Sequence, residues 1–149
     1  MPKRKADTAL PDTGGYVLED QIGYLLRRAH QRASSIFQDI MSNELTPPQY
    51  AALVKIGAFG TVSQNQLGRA VAMDPATSQG VVQRLLAKKL VRRAADPGDK
   101  RRTMLSLTPE GKALVERLVP LGAQVTEATL APLEDADRAR LLDFLKRLG

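Results

Sequence analysis

The chain has 149 residues, a net charge of +6 at pH 7, no cysteine and no tryptophan. This length suits one domain with a substantial core. The lack of cysteine excludes disulfides, thiolate metal sites and a cysteine nucleophile. No apolar run approaches the roughly 18 residues of a membrane span, and the start of the chain lacks the apolar stretch of a secretory signal. We therefore expect a cytoplasmic protein.

The positive charge is concentrated in one short segment. Eight basic and two acidic residues lie between Arg84 and Arg102, so this segment carries +6 and the rest of the chain is neutral. The usual partner of such a segment is a nucleic acid backbone. The alternative is a charged face that only contacts solvent.

Long helices are predicted at both ends of the chain. After a flexible basic arm over residues 1–15, an apolar stripe at helical spacing predicts a helix over about residues 16–42. Residues 109–149 carry a similar pattern, interrupted at Pro132. Both patterns predict helices with one apolar face.

Three shorter helices are predicted between these two regions, each from its first residues. Thr46 and Ser63 both start a capping box that ends in glutamine. Asp74 precedes Pro75 at the first position of a helix that runs to about Lys88. Each of the three helices therefore has its own start signal.

A β-hairpin follows the third short helix. Residues 91–95 and 103–107 have the pattern of strands, and the turn Asp96-Pro97-Gly98-Asp99 joins them. Lys100, Arg101 and Arg102 lie at the tip of this hairpin. The sequence thus predicts a mainly α fold with a small β-hairpin wing, which is a winged helix-turn-helix.

This architecture predicts DNA binding, because an α-helix fits the major groove and a basic hairpin fits the minor groove. Glutamine can pair with adenine through two hydrogen bonds, and threonine can contact a thymine methyl group. An ordinary exposed helix and a charged turn are the alternatives. The expected DNA-binding residues are Thr77, Ser78, Gln79, Gln83, Arg84, Lys100, Arg101 and Arg102.

Two stretches of this sequence resemble the MarR family of transcription regulators. Residues 99–111, DKRRTMLSLTPEG, are similar to the wing signature of that family, and residues 45–50, LTPPQY, are similar to a helix start upstream of it. The resemblance spans about residues 18–148. It implies a winged helix-turn-helix over about residues 46–108, with dimerisation helices over about residues 16–42 and 109–149.

The resemblance implies a homodimer that binds pseudo-palindromic double-stranded operators. It implies that Arg101 enters the minor groove and that Asp99 orients it through a salt bridge. It also places Lys89 where the family usually has glycine after the recognition helix. A left-handed residue other than glycine costs on the order of 1 kcal/mol, so either the helix ends differently or Lys89 tolerates strain.

A small-molecule effector is also implied, because such regulators commonly sense aromatic acids. The first predicted helix is similar to regulators of aromatic-acid degradation, some of which sense a coenzyme A thioester. A cationic rim over an apolar cleft would suit an anionic aromatic ligand. The alternative is that His30 only forms a hydrogen bond at the dimer interface and that the neighbouring arginines only contact solvent. The candidate ligand-binding residues are Leu26, Arg28, His30, Arg32, Ala33 and Tyr50.

The leading interpretation is a repressor that an aromatic carboxylate or its coenzyme A thioester releases from DNA. No cofactor and no metal site are expected. A constitutive architectural or RNA-binding winged helix is the second hypothesis. An enzyme is the third, and the sequence has a single histidine, no cysteine and none of the common catalytic motifs.

Overall fold

A computed structural model describes residues 14–149, so the predicted arm lies almost entirely outside the described residues. The chain divides into two compact units, Met1–Gln31 and Arg32–Gly149. The first unit contains a 3-10 turn at Leu18–Asp20 and the beginning of the first helix. The helix expected from about residue 16 therefore begins later, because this turn precedes it.

The second unit contains most of the secondary structure. In chain order the elements are α1 (Ile22–Met41, which begins in the first unit), α2 (Pro47–Phe59), β1 (Val62–Ser63), α3 (Gln64–Ala70), α4 (Pro75–Ala87), β2 (Val91–Asp96), β3 (Asp99–Leu107), α5 (Pro109–Leu130) and α6 (Asp135–Leu148). Among the helices described, none combines the length and the apolar character needed to cross a bilayer.

The predicted helix starts are confirmed by their hydrogen bonds. The Thr46 hydroxyl accepts from the Gln49 backbone N–H, while the Thr46 N–H donates to the Gln49 side chain. Ser63 accepts from the Gln66 N–H at 3.2 Å. These side chains satisfy backbone donors that have no partner inside the helix.

The sheet has three strands rather than the two that the hairpin prediction required. β2 and β3 pair antiparallel, and the short strand β1 adds to the other edge of β3 in the order β1-β3-β2. Val62 pairs with Leu105, and both side chains are buried. The pair attaches the wing to the start of α3, so the hairpin and the helix-turn-helix share one core.

Apolar side chains from α1, α2, α4 and α5 form that core together with the sheet. Leu53, Ile56 and Leu85 are fully buried, and Leu118 of α5 is 1% exposed. Aliphatic residues fill most of the cluster, as the low aromatic content predicts. The core holds α4 with its N-terminal half on the surface.

The end of α4 resolves the question about Lys89. Lys89 has φ +58°, its N–H donates to the Leu86 carbonyl at 3.0 Å, and the Leu90 N–H donates to the Leu85 carbonyl at 3.1 Å. These two bonds define a Schellman motif, which normally ends in glycine. The helix ends where it was predicted, and Lys89 adopts the left-handed conformation.

Replacing Lys89 with glycine is therefore expected to stabilise the fold. The substitution removes the left-handed strain, on the order of 1 kcal/mol, and part of this gain is lost to the larger entropy of the unfolded chain. We expect the free energy of unfolding to rise by roughly 0.5 kcal/mol in urea titrations at fixed protein concentration. A decrease would show that the Lys89 side chain itself contributes to stability.

Candidate DNA-binding surface

One face of α4 presents the predicted DNA-contacting residues to solvent. Thr77, Gln79, Gln83 and Arg84 are all exposed. Gln79 and Gln83 lie one helical turn apart, so both side chains emerge from the same face. The opposite face carries buried Val82 and packs on the core. The helix can thus present one polar face to a groove without losing its packing.

The first turn of α4 is held by Asp74. Its carboxylate accepts the Thr77 backbone N–H at 2.9 Å and the Thr77 hydroxyl at 2.7 Å. The backbone bond, helped by the hydroxyl, holds the pKa of Asp74 below its ordinary value. This cap is therefore complete at neutral pH and is lost only as the pH falls through the lowered pKa. Because the Thr77 hydroxyl donates to Asp74, Thr77 can offer DNA its methyl group or an oxygen acceptor.

Ser78 does not belong to the DNA-binding set. Its side chain is 3% exposed, and its hydroxyl faces Gly68 of α3. Ser78 lies four residues before Val82 and seven before Leu85, which places it on the buried face. The expectation that it contacts DNA is corrected by this placement. A small residue is needed here because α3 and α4 approach closely.

The wing places its cations at the exposed start of β3, directly after the turn, and its carboxylates do not make the expected contacts. Asp99 accepts the Arg101 backbone N–H at 2.9 Å rather than pairing with the guanidinium. The ion pair within the wing joins Arg102 to Asp96 at 3.9 Å. Asp99 therefore orients the backbone at Arg101, and the expected salt bridge to the Arg101 side chain is replaced by this contact.

A polar groove of about 450 Å³ runs between the wing and the beginning of α3. Arg101 and Arg102 of β3 line it, and Arg69 of α3 lies on the same groove. Its remaining lining residues are Ser63, Gln64, Asn65 and Thr103. Arg69 was missed from the sequence, because a single arginine on a short helix gives no signal until β1 pairs with β3. Three guanidinium groups beside one groove suit a phosphate backbone.

The candidate ligand residues occur in both units. In the first unit, Leu26, Arg28 and His30 are exposed on α1. In the second unit, Arg32 donates to the carbonyls of Ala128 and Thr129 at 3.0 and 3.2 Å, near the end of α5. Its guanidinium therefore binds a helix end, where carbonyls lack partners.

Tyr50 and Ala33 of the second unit are half-buried. The Tyr50 ring meets the Phe37 ring edge to face, with 5.6 Å between the centroids. Burial raises the pKa of the Tyr50 hydroxyl. Gly122 of α5 lies against this hydroxyl so closely that an added methyl group would overlap it. Nothing in the sequence marked Gly122 as a neighbour of Tyr50.

Comparison with known proteins assigns the family. The MarR family profile matches residues 43–102. The HTH-type transcriptional repressor NicR of Pseudomonas putida is 35% identical over 150 residues, which cover 99% of this chain and 95% of NicR. The chain belongs to the MarR family.

Two solved structures of similar proteins support the same assignment. A probable transcriptional regulator from Pseudomonas aeruginosa is 46% identical with a TM-score of 0.85, covering 89% of this chain and all of that one. BpsR of Bordetella bronchiseptica, whose DNA binding is regulated by 6-hydroxynicotinic acid, is 39% identical with a TM-score of 0.85. That match covers 89% of this chain and 96% of BpsR.

The family assignment confirms the main functional prediction. MarR-family proteins are transcription regulators, so this chain is a DNA-binding regulator and not an enzyme. The predicted winged helix-turn-helix fold is confirmed by the structural matches. In one relative, BpsR, a small aromatic acid regulates DNA binding.

Proposed function

We propose that this protein is a cytoplasmic repressor that binds a pseudo-palindromic operator as a homodimer and is released by a small aromatic carboxylate. The observation that carries the DNA-binding part is the exposed polar face of α4, with the arginine-lined groove beside the wing. Repression is proposed because NicR is a repressor.

Exposed apolar residues support the homodimer. In the first unit, Tyr16, Leu18 and Ile22 are each more than half exposed. In the second unit, Phe144 and Leu148 of α6 are 54% and 72% exposed. Large exposed apolar side chains that cluster on one element are unusual in a monomer. A second copy of the chain would cover them and set the spacing of the two α4 helices on DNA.

We propose different roles for the residues that contact DNA bases and those that contact the DNA phosphate backbone. Gln79 and Gln83 would read base edges in the major groove, and Thr77 would offer its methyl group to thymine. Arg84, Lys100 and Arg102 would bind phosphates, and Arg101 would enter the minor groove. Phosphate contacts fix the position of the protein, whereas the base contacts supply specificity.

Changing Gln79 to alanine tests the base-reading role. We expect operator binding to weaken by about 1–3 kcal/mol, the usual value of one bidentate base contact, with little change on random duplex. Competition binding with single-base operator variants would show relaxed preference at one position in each half-site. Equal losses on operator and random duplex would contradict base reading.

The proposed effector is a monocyclic aromatic carboxylate, the class to which the 6-hydroxynicotinic acid of BpsR belongs. Arg28 is the better candidate for its carboxylate, because the Arg32 guanidinium is already bonded to the end of α5. His30, Leu26 and Ala33 lie within two turns of Arg28 on the same helix. Tyr50 lies in the second unit and is a separate candidate for aromatic contact with an effector, since its ring already packs edge to face against the Phe37 ring.

Effector and DNA would weaken each other's binding through linkage. An effector that favours a dimer geometry with mismatched α4 spacing lowers DNA affinity, and DNA then lowers effector affinity by the same factor. A coenzyme A thioester of the same acid is the alternative effector. It would place a far larger anion at the site.

The test is fluorescence anisotropy with a labelled duplex from upstream of the protein's own gene, at about 0.15 M salt. We expect tight binding that random duplex does not displace, and that 6-hydroxynicotinic acid or another monocyclic aromatic acid reverses. Reversal only by the thioester would assign the larger effector. Binding no tighter than to random duplex would overturn the operator proposal and favour the architectural or RNA-binding alternative.

A further inference from the structure

An ion pair joins the turn between α1 and α2 to the middle of α5. Glu44 of that turn accepts two hydrogen bonds from Arg117, at 2.8 Å from Nη1 and at 2.6 Å from Nη2. This is the bidentate geometry in which a guanidinium matches a carboxylate best. The Arg117 bonds hold the pKa of Glu44 below its ordinary value, so the pair stays charged at neutral pH.

The same turn is joined to the end of the recognition helix. Lys88 is the C-cap residue that directly follows α4, and its ammonium group donates to the Glu44 backbone carbonyl at 2.7 Å. One residue thus contacts α4 through its backbone and α5 through its side chain. These contacts connect the DNA-reading helix with a helix that resembles the dimerisation helix of the family.

The turn is held in one conformation, so it can act as a fixed support. Ser42 and Asn43 both have positive φ, 54° and 58°, a backbone conformation that is uncommon for serine and that asparagine adopts more readily. Leu45, the next residue after Glu44, is 3% exposed in the core. The Glu44 backbone therefore has little freedom to follow a shift of either helix.

Stability alone does not account for this ion pair. The Arg117 and Glu44 side chains are 56% and 37% exposed, so solvent screening limits what the pair adds to stability even with its bidentate geometry. Its location between α4 and α5 is the more informative property. An arrangement that fixes the angle of α4 matters more for DNA than for folding, because both α4 helices of a dimer must fit successive major grooves.

We propose that Glu44 and Arg117 are positioning residues that set the orientation of α4 for operator binding, with Lys88 completing the connection. Neither residue of the pair belongs to the DNA-binding or ligand set argued above. The inference rests on the proposed operator function. It predicts that breaking the pair lowers the preference for operator over random duplex while the protein stays folded.

The experiment compares Glu44→Gln, Arg117→Gln and the double variant, each as the full-length protein. Lys55→Gln serves as the control, because Lys55 is exposed on α2 and its loss changes the charge as much as the loss of Arg117. The probes are the upstream duplex and a random duplex of equal length. We expect each single variant to lose about 5-fold in the operator-to-random affinity ratio, within the range found for residues that modulate coupling.

The two single substitutions change net charge in opposite directions, so a common loss of preference cannot come from charge alone. The double variant should lose no more than either single variant, because one interaction is broken in all three. Thermal unfolding should show all variants folded at the assay temperature. Lys55→Gln should keep the wild-type ratio.

Unchanged ratios in both single variants, or additive losses in the double variant, would overturn the inference. If Lys55→Gln lowered the operator-to-random affinity ratio as much as Arg117→Gln does, the loss would come from the change in charge and not from the broken ion pair. If the wild-type protein itself shows no preference for the upstream duplex, the operator proposal fails first and the inference fails with it. If the wild type is selective and the variants are equally selective, only the inference fails.

Discussion

Replacing Gly111 with alanine is expected to destabilise the protein by roughly 3 kcal/mol, at the upper end of overpacking costs. A Cβ at this position would overlap the Leu90 carbonyl oxygen and lie 2.9 Å from the carbonyl carbon. Backbone atoms cannot rotate away as a side chain can. The first turn of α5 would have to move off Leu90.

That movement would break contacts that tie α5 to α4. The Thr108 N–H donates to the Leu90 carbonyl at 3.1 Å, and its hydroxyl donates to the Lys89 carbonyl at 2.7 Å. The same hydroxyl accepts the Gly111 N–H as the cap of α5. Loss of these bonds leaves backbone groups without partners, which adds to the steric cost.

Urea unfolding at fixed protein concentration measures this prediction, since the stability of a dimer depends on concentration. Gly80→Ala is the matched control. Gly80 lies inside α4, and a Cβ there meets nothing within 4 Å. We expect the control to gain about 0.5–1 kcal/mol from helix propensity. A loss below about 1 kcal/mol for Gly111→Ala would show that α5 can move away from Leu90.

Local signals in the sequence were sufficient to predict the helices and the hairpin. Caps, prolines and turn residues act over a few positions, so Thr46, Ser63 and Asp74 begin helices where they were expected. β1 was missed, because two residues have no periodicity and the strand exists only through pairing with β3. The 3-10 turn at Leu18–Asp20 was missed because three residues are also too few to show a period.

The DNA-binding surface was predictable in part. Exposure of Gln79 and Gln83 follows from helical spacing, and the same spacing places Ser78 on the buried face with Val82. Ser78 is polar and lies near the start of the helix, and these two properties alone favour an exposed position. The helical spacing, which places Ser78 with Val82, is the better guide to its burial. Arg117 and Glu44 are 73 residues apart. No property of a single sequence brings such a pair together, because the contact depends on how α2 and α5 pack.

Arg101→Ala is expected to have the largest effect on DNA binding among substitutions in the wing. Arg101 is exposed near the start of β3, where Asp99 fixes its backbone. A narrow minor groove concentrates negative potential, and an arginine inserted into it gains more than one on the surface. Arg102, in contrast, shares its charge with Asp96. We therefore expect roughly 10- to 100-fold weaker operator binding for Arg101→Ala.

The salt dependence separates a groove contact from a general charge effect. If the guanidinium displaces counterions on DNA, its removal should reduce the slope of log affinity against log salt by about one. Arg101→Lys should keep that slope and lose only part of the affinity, because an ammonium group retains the charge without the planar fork. Lys55→Gln removes one charge away from the wing and should change the slope little. An unchanged affinity and slope for Arg101→Ala would mean that the wing does not reach DNA, and that α4 binds the operator without it.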